Sequence, residues 1–238
     1  PFLDYAEPSQ LKASIRSHRA RPITLHSSMA GGVVTPDTNI NRIHYRGQTR
    51  ELGPQQLAAD AFFGHLPSLL GNSTRRSLLI GAGTGATVDA LRRGTPGSVE
   101  VYEALPGLRA LIRSQGQWNR NVSADPAVRF LKTRPALGAG WDLDVLLVDL
   151  PPPWLPGAAQ LWSKTAIQQI ADSLTDEGSA VFRLPLASIS GDELATFTGT
   201  VCEQFGAVTA WLNPSGAENL ILVGRHQPGP IQAATIFT

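Results

Sequence analysis

Gly81, Gly83 and Gly85 form a G-x-G-x-G run directly after the apolar stretch Ser77-Leu78-Leu79-Ile80. Glu103 and Asp149 close two further apolar stretches, Val99-Glu100-Val101-Tyr102 and Leu143-Asp144-Val145-Leu146-Leu147-Val148. Glycines at these points permit a positive-φ turn and let a ligand touch bare backbone, because a Cβ would block both. An acidic residue roughly 20 positions after such a turn is placed to accept ribose hydroxyls. Asp149 is followed by the stiff run Leu150-Pro151-Pro152-Pro153-Trp154. A carboxylate there suits a general base, or an acceptor that caps the loop.

A strand, turn and helix succession has to deliver these residues to one edge. After Thr74 the sequence predicts strand 77–81, helix 85–93, strand 99–103, helix 106–116, strand 127–132 and strand 143–149. The last is dense enough in aliphatics to be buried on both faces. Helix 161–174, strand 179–184, helix 191–204 and strands 207–212 and 219–225 follow. Only Asn213-Pro214-Ser215-Gly216 joins the final two strands, so they are expected to pair as an antiparallel edge hairpin. The expected fold class is α/β, a mostly parallel Rossmann sheet whose ligands bind just past the strand carboxyl ends.

Ahead of that sheet, residues 1–22 read as a polar lead-in segment. Ile23-Thr24-Leu25, Gly32-Val33-Val34-Thr35 and Ile40-Asn41-Arg42-Ile43-His44-Tyr45 read as a small N-terminal β unit over 23–52, with turns at Pro36-Asp37 and Arg46-Gly47. Pro54 opens a helix that places Leu57, Ala58, Ala61 and Phe62 at helical spacing, with stops at Pro67 and Gly71. The nucleotide-binding domain is expected over 53–238.

The 238 residues, 42% hydrophobic and 16% charged, are enough to bury a sizeable core. No apolar run approaches the roughly 20 residues of a membrane span, and Pro1, not an initiator methionine, reads as the start of a processed or excised piece, so that membrane segments of a parent protein are left open. The single cysteine, Cys202, excludes an internal disulfide and a multi-cysteine metal site. It reads as a small buried hydrophobe on a helix and fits a reducing, cytoplasmic compartment. A net charge of +1 gives no ground for nucleic-acid binding. The local basic set Lys12, Arg16, Arg19, Arg21, Arg42, Arg46 and Arg50 reads as solvated charge. His18, His26, His44, His65 and His226 have no metal-ligand spacing, so no metal is expected. No serine sits in a Gly-x-Ser-x-Gly elbow, which argues against that class of hydrolase. A nicotinamide dehydrogenase shares the glycine spacing, but Ala86 stands where its third glycine belongs.

The Gly-x-Gly-x-Gly turn, Glu103, Asn121 before Asp125-Pro126, His65-Leu66-Pro67, and Asp149 followed by Pro153 and Leu161-Trp162 together resemble the polyamine aminopropyltransferases, the spermidine synthase family. The resemblance covers roughly residues 30–226. It is nearest to bacterial spermidine synthase-like domains, whose tails read like Trp211-Leu212 and Leu220-Ile221-Leu222-Val223-Gly224. It implies a class I methyltransferase-like Rossmann domain, a homodimer, and a donor substrate that is S-adenosylmethionine or its decarboxylated form. It also implies a small amine acceptor, with Asp149 as the catalytic carboxylate. Gly81, Gly83, Thr84, Gly85, Glu103, Thr133 and Leu150 are the implied donor-binding set.

The departures from that pattern narrow the expectation. The second aspartate of the family, three positions after the catalytic one, is Pro152 here, and its Tyr-His-Glu group is replaced by Ala59-Asp60-Ala61. The aspartate of the glycine loop is Thr84, and Lys132-Thr133-Arg134 replaces the acidic residue expected near the adenine. A dicationic polyamine needs a carboxylate at each end, since an ammonium buried alone costs several kcal/mol. The expected activity is therefore transfer of an aminopropyl or methyl group to an amine other than putrescine. The missing carboxylates leave a second reading open, a non-catalytic domain that binds a nucleoside or a protein partner. Pro151-Pro152-Pro153-Trp154 has some likeness to the motif of amino-methylating enzymes, but proline replaces its polar first residue. Trp154 and Trp162 read as loop packing. A nucleic-acid methyltransferase is the remaining alternative, separated by whether a salt-dependent complex forms.

Overall fold

A computed structural model of the chain describes residues 24–26, 32–36, 41–45, 48–71, 75–114, 116–155, 157–212 and 219–228. The lead-in segment 1–22, the turns at Asp37 and Arg46-Gly47, and the link 213–216 lie outside the described residues.

Four short antiparallel strands come first: β1 Thr24–His26, β2 Gly32–Pro36, β3 Asn41–Tyr45 and β4 Gln48–Leu52, in that spatial order. The fourth was not expected. Its sequence, Gln48-Thr49-Arg50-Glu51-Leu52, has no aliphatic alternation, and it is a strand because it pairs with β3, Asn41 opposite Leu52. Helix α1 Pro54–Leu69 begins with Pro54 in its first turn and runs through Pro67. The sequence places a stop at Pro67, but a proline so near the helix end removes only one backbone bond. The Leu70 N–H bonds back to the Leu66 and Pro67 carbonyls, and Gly71, at φ +77, ends the turn.

The main sheet contains β5 Arg76–Ile80, β6 Ser98–Tyr102, β7 Val128–Phe130, β8 Leu143–Asp149, β9 Leu174–Pro185, β10 Ala207–Leu212 and β11 Asn219–Arg225. Its order is β10-β11-β9-β8-β5-β6-β7, with β5 to β9 parallel to one another and β11 antiparallel to both β9 and β10. This is the expected methyltransferase-like Rossmann sheet with an antiparallel edge. β9 is longer than its apolar segment 179–184, because Leu174 pairs with Leu143 before a register shift. Between the strands lie α2 Ala86–Gly94, α3 Pro106–Ser114, α4 Gly116–Asn119, α5 Lys164–Asp172 and α6 Gly191–Gln204.

Strand alternation sorts the core into two layers. Leu79, Val101, Val145, Leu147 and Val181 face α1 and α2 through Phe63, Leu66, Val88 and Leu91. Leu78, Ile80, Leu146, Val148 and Phe182 face α5 and α6 through Ile167, Ile170, Phe197 and Val201. Helix ends are satisfied locally: Ser163 caps α5, and Ser190 with Glu193 forms a capping box on α6. Cys202 lies on α6 as expected but is exposed, not buried. It follows buried Val201, and one residue turns about 100° around a helix.

Asp144 ties the start of β8 to β5 by accepting the backbone N–H groups of Arg75 at 2.8 Å and Arg76 at 2.9 Å. The chain runs outward from β5 to β7 and returns to β8 on the other side of β5. That reversal opens a crevice between the carboxyl ends of β5 and β8, where Gly81 and Asp149 meet.

Candidate active site

A cleft of about 410 Å³ lies at this crevice. Its wall includes Gly81, Gly83, Thr84, Glu103, Asp149 and Leu150 from the expected set. Gly85 and Thr133 do not line it, whereas Arg134, next to Thr133, does, with its Nη1 donating to Gln160 Oε1 at 2.8 Å. Leu150 is buried, and its N–H bonds to the Arg183 carbonyl at 3.0 Å, so it fixes the turn out of β8.

The three loop glycines serve different needs. Gly81 has φ +89, and a Cβ on it would lie 2.9 Å from Asp149 Cβ, so this glycine lets β5 and β8 approach each other. Gly85, at φ +87, begins α2, and its Cβ would meet Asn119 Nδ2 at 2.8 Å. Gly83 alone of the three, at φ +52, has open space where a Cβ would stand, and with Gly81 it presents bare backbone to the cleft.

Glu103 follows β6 and turns back under this loop. Its Oε2 accepts from the N–H groups of Ala82 at 2.9 Å and Gly83 at 3.3 Å, and its Oε1 from that of Leu105 at 2.9 Å. Burial pushes the carboxyl up from its ordinary value against the pull of these donors, and the Asp149 charge adds to the rise. The carboxylate thus shapes the loop while still facing the cleft. Asn119, fully buried, holds the other side by donating to the carbonyls of Thr84 at 3.1 Å and Ile112 at 2.9 Å. Asn121, which carries part of the sequence resemblance, is exposed at φ +57 and does not line the cleft.

Asp149 is engaged from within the protein. It stands directly opposite Arg183 in the parallel β8–β9 ladder. The guanidinium grips it at two points, Nε to Oδ1 at 2.9 Å and Nη2 to Oδ2 at 2.6 Å. Arg183 Nη1 reaches Asp60 Oδ1 at 2.6 Å, and the guanidinium lies over the Phe63 ring, 4.6 Å from its centroid. Asp60 and Phe63 are three positions apart on α1, so both meet the same sheet face. Asp60 also accepts from Gln56 Nε2 at 2.9 Å and from the Thr84 hydroxyl at 3.3 Å. The Arg183 side chain is 4% exposed. Burial works against its charge, and the carboxylates of Asp149 and Asp60 outweigh that cost, holding it protonated more firmly than a free arginine.

Sequence reasoning missed Arg183 and saw Asp60 only as a departure. The signal was there: an arginine inside the apolar strand Ser179-Ala180-Val181-Phe182-Arg183-Leu184-Pro185 must find buried counter-charge. The tryptophans pack as expected. Trp162 donates to the Pro151 carbonyl at 2.8 Å and meets Phe197 edge-on at 4.9 Å, and half-exposed Trp154 donates to the Ser188 carbonyl at 3.2 Å. Among the described residues no cluster of three or more His, Cys, Asp or Glu side chains could hold a metal ion, and no helix is long and apolar enough to cross a membrane.

The sequence matches no protein-family model and no curated protein. Solved structures match the fold. A spermidine synthase in complex with the transition-state analogue AdoDATO superposes with a TM-score of 0.78 at 14% identity, covering 90% of this chain and 76% of the other. The spermidine synthase of Thermotoga maritima gives 0.75 at 14%, covering 90% and 75%. A probable spermidine synthase from Corynebacterium glutamicum ATCC 13032 gives 0.62 at 14%, covering 89% and 81%.

Proposed function

We propose, from this spermidine synthase-like fold, that the cleft binds an adenosyl sulfonium, S-adenosylmethionine or its decarboxylated form, and transfers its aminopropyl or methyl group to a small amine other than putrescine. The observation that carries the reading is the convergence of Gly83 backbone, the Glu103 carboxylate and Asp149 on one cleft at the sheet's reversal point. The bound sulfonium supplies an electrophilic carbon with a neutral thioether as leaving group. Gly83 offers room for the nucleoside against backbone, and Glu103 is placed to accept from ribose hydroxyls, since each carboxylate oxygen accepts more than one hydrogen bond.

Asp149 orients the amine. The nitrogen lone pair attacks the carbon next to sulfur, the carbon–sulfur bond breaks with its electrons going to sulfur, and the new ammonium gives up one proton toward the carboxylate or solvent. An alkylamine of ordinary basicity is about one part in 2,000 neutral at pH 7, so an acceptor that holds the neutral form aids the step. We assign 23–52 to a small β unit and 53–238 to the nucleotide-binding domain. The resemblance adds a homodimer, the single cysteine fits a cytoplasmic setting, and a net charge of +1 gives no ground for a nucleic-acid partner.

The test is calorimetry with S-adenosylmethionine, its decarboxylated form and methylthioadenosine. Binding of at least one is expected, and no binding of any of the three overturns the reading. A second reading, nucleoside binding without transfer, draws on one observation: Arg183 already grips both oxygens of Asp149. Turnover of either donor with any amine, abolished in Asp149→Asn, rules that reading out.

A further inference from the structure

We infer that Arg183 is the resident occupant of the position where a cationic amine would otherwise sit, and that it restricts the acceptor to a weakly basic amine with a single amino group, bound in its neutral form. The inference rests on the proposed transfer reading for the word acceptor, but its physical content is the ion triad itself. Asp60 and Asp149 are carboxylates from α1 and β8 that converge on one point in the cleft wall. A guanidinium and an alkylammonium compete for the same carboxylate oxygens, and here the guanidinium is covalently present at 2.6 to 2.9 Å. The triad keeps a net charge of −1, but both Asp149 oxygens already accept a guanidinium N–H, so a second cation drawn to them would stand against Arg183 with like charges in contact.

A neutral amine meets no such repulsion. It donates an N–H to Asp149 and keeps its lone pair for attack. The packing of Phe63 under the guanidinium and the Thr84 and Gln56 bonds to Asp60 hold the triad in one arrangement.

Titration of the full chain with propylamine and putrescine, both cationic at pH 7.5, and with trifluoroethylamine, which is neutral there, tests this. Each is run with and without saturating methylthioadenosine. Wild type is expected to bind trifluoroethylamine at least about tenfold more tightly than propylamine and to show no heat with putrescine. Arg183→Ala is expected to reverse the order, gaining at least about tenfold for propylamine, and to take up methylguanidine in place of the lost side chain. Arg183→Lys restores the wild-type preference. Wild-type binding of putrescine, or a folded Arg183→Ala without gain for either cation, overturns the inference. If Arg183→Ala does not fold, the double variant Asp60→Asn/Arg183→Gln, which keeps one carboxylate, is expected to gain propylamine binding, and absence of that gain also overturns it. Failure of methylthioadenosine to bind wild type counts against the nucleoside reading alone, because the amine titrations without nucleoside still report on Arg183.

Discussion

Alanine at Gly81 and at Gly83 separates folding from binding within one loop. At Gly81 the new side chain adopts φ +89 and its Cβ stands 2.9 Å from Asp149 Cβ and 3.1 Å from the Asp149 carbonyl oxygen. The left-handed conformation costs about 1–2 kcal/mol and overpacking against a central strand about 1–3 kcal/mol more, for a loss of roughly 2–5 kcal/mol. At Gly83 only the conformational part applies, about 1–2 kcal/mol, because the Cβ enters open space at φ +52. Gly83 lines the cleft, so the added methyl group is expected to take room from a ligand. Urea unfolding should therefore shift the Gly81→Ala midpoint down by about 1–2 M and that of Gly83→Ala by less than about 1 M. Calorimetry with methylthioadenosine should show Gly83→Ala folded and at least about tenfold weaker than wild type. Unfolding of Gly81→Ala at the wild-type urea concentration, or wild-type nucleoside affinity in Gly83→Ala, would refute this division of roles.

Asp149→Asn removes one charge from the triad and should cost about 3 kcal/mol in urea unfolding while abolishing donor turnover in a product assay. Asn119→Ala leaves the Thr84 and Ile112 carbonyls without their buried donor, so a loss of about 2 kcal/mol and weaker nucleoside binding are expected from unfolding and calorimetry. Glu103 sets a pH signature. Its folded value lies above its ordinary 4.5, so between the two the folded state holds a proton that the unfolded chain has lost. Stability from this group is complete below about 4.5 and falls as pH rises through the folded value. Unfolding curves measured from pH 4 upward should show that decline in wild type and its absence in Glu103→Gln.

The frame was legible because its signals are local. Apolar strands ending in glycine, Glu103 and Asp149 place those residues at one sheet edge by topology alone, and the direct link from 212 to 219 marks the antiparallel hairpin. The roles inside that frame were less legible, because they depend on pairings far apart in sequence. Nothing near Gly81 says that its missing Cβ makes way for Asp149 rather than for a ligand, and nothing near Asp60 says that it will face Arg183. Asn119 and Asn121 lie two residues apart on a short helix and the turn after it, and only the approach of the glycine loop decides which one is buried. β4 and the passage of α1 through Pro67 were hidden for a related reason: strand pairing and helix packing overrode weak local preference.

Asp60 and Arg183 are 123 positions apart, and Arg183 reaches Asp149 across 34. The loop that closes when the triad forms spans half the chain, and its closure entropy must be met before the charges gain anything from meeting. The triad is consequently expected to complete after β8 and β9 have registered and α1 has settled on the sheet, and Arg183→Ala is expected to speed unfolding more than it slows refolding in stopped-flow urea jumps. Interactions of that kind act on the rate at which the native state opens and have little effect on the rate at which it forms. Asp60, Arg183 and Asp149 thus form a latch on an assembled sheet, and what they lend the molecule is the lifetime of its cleft.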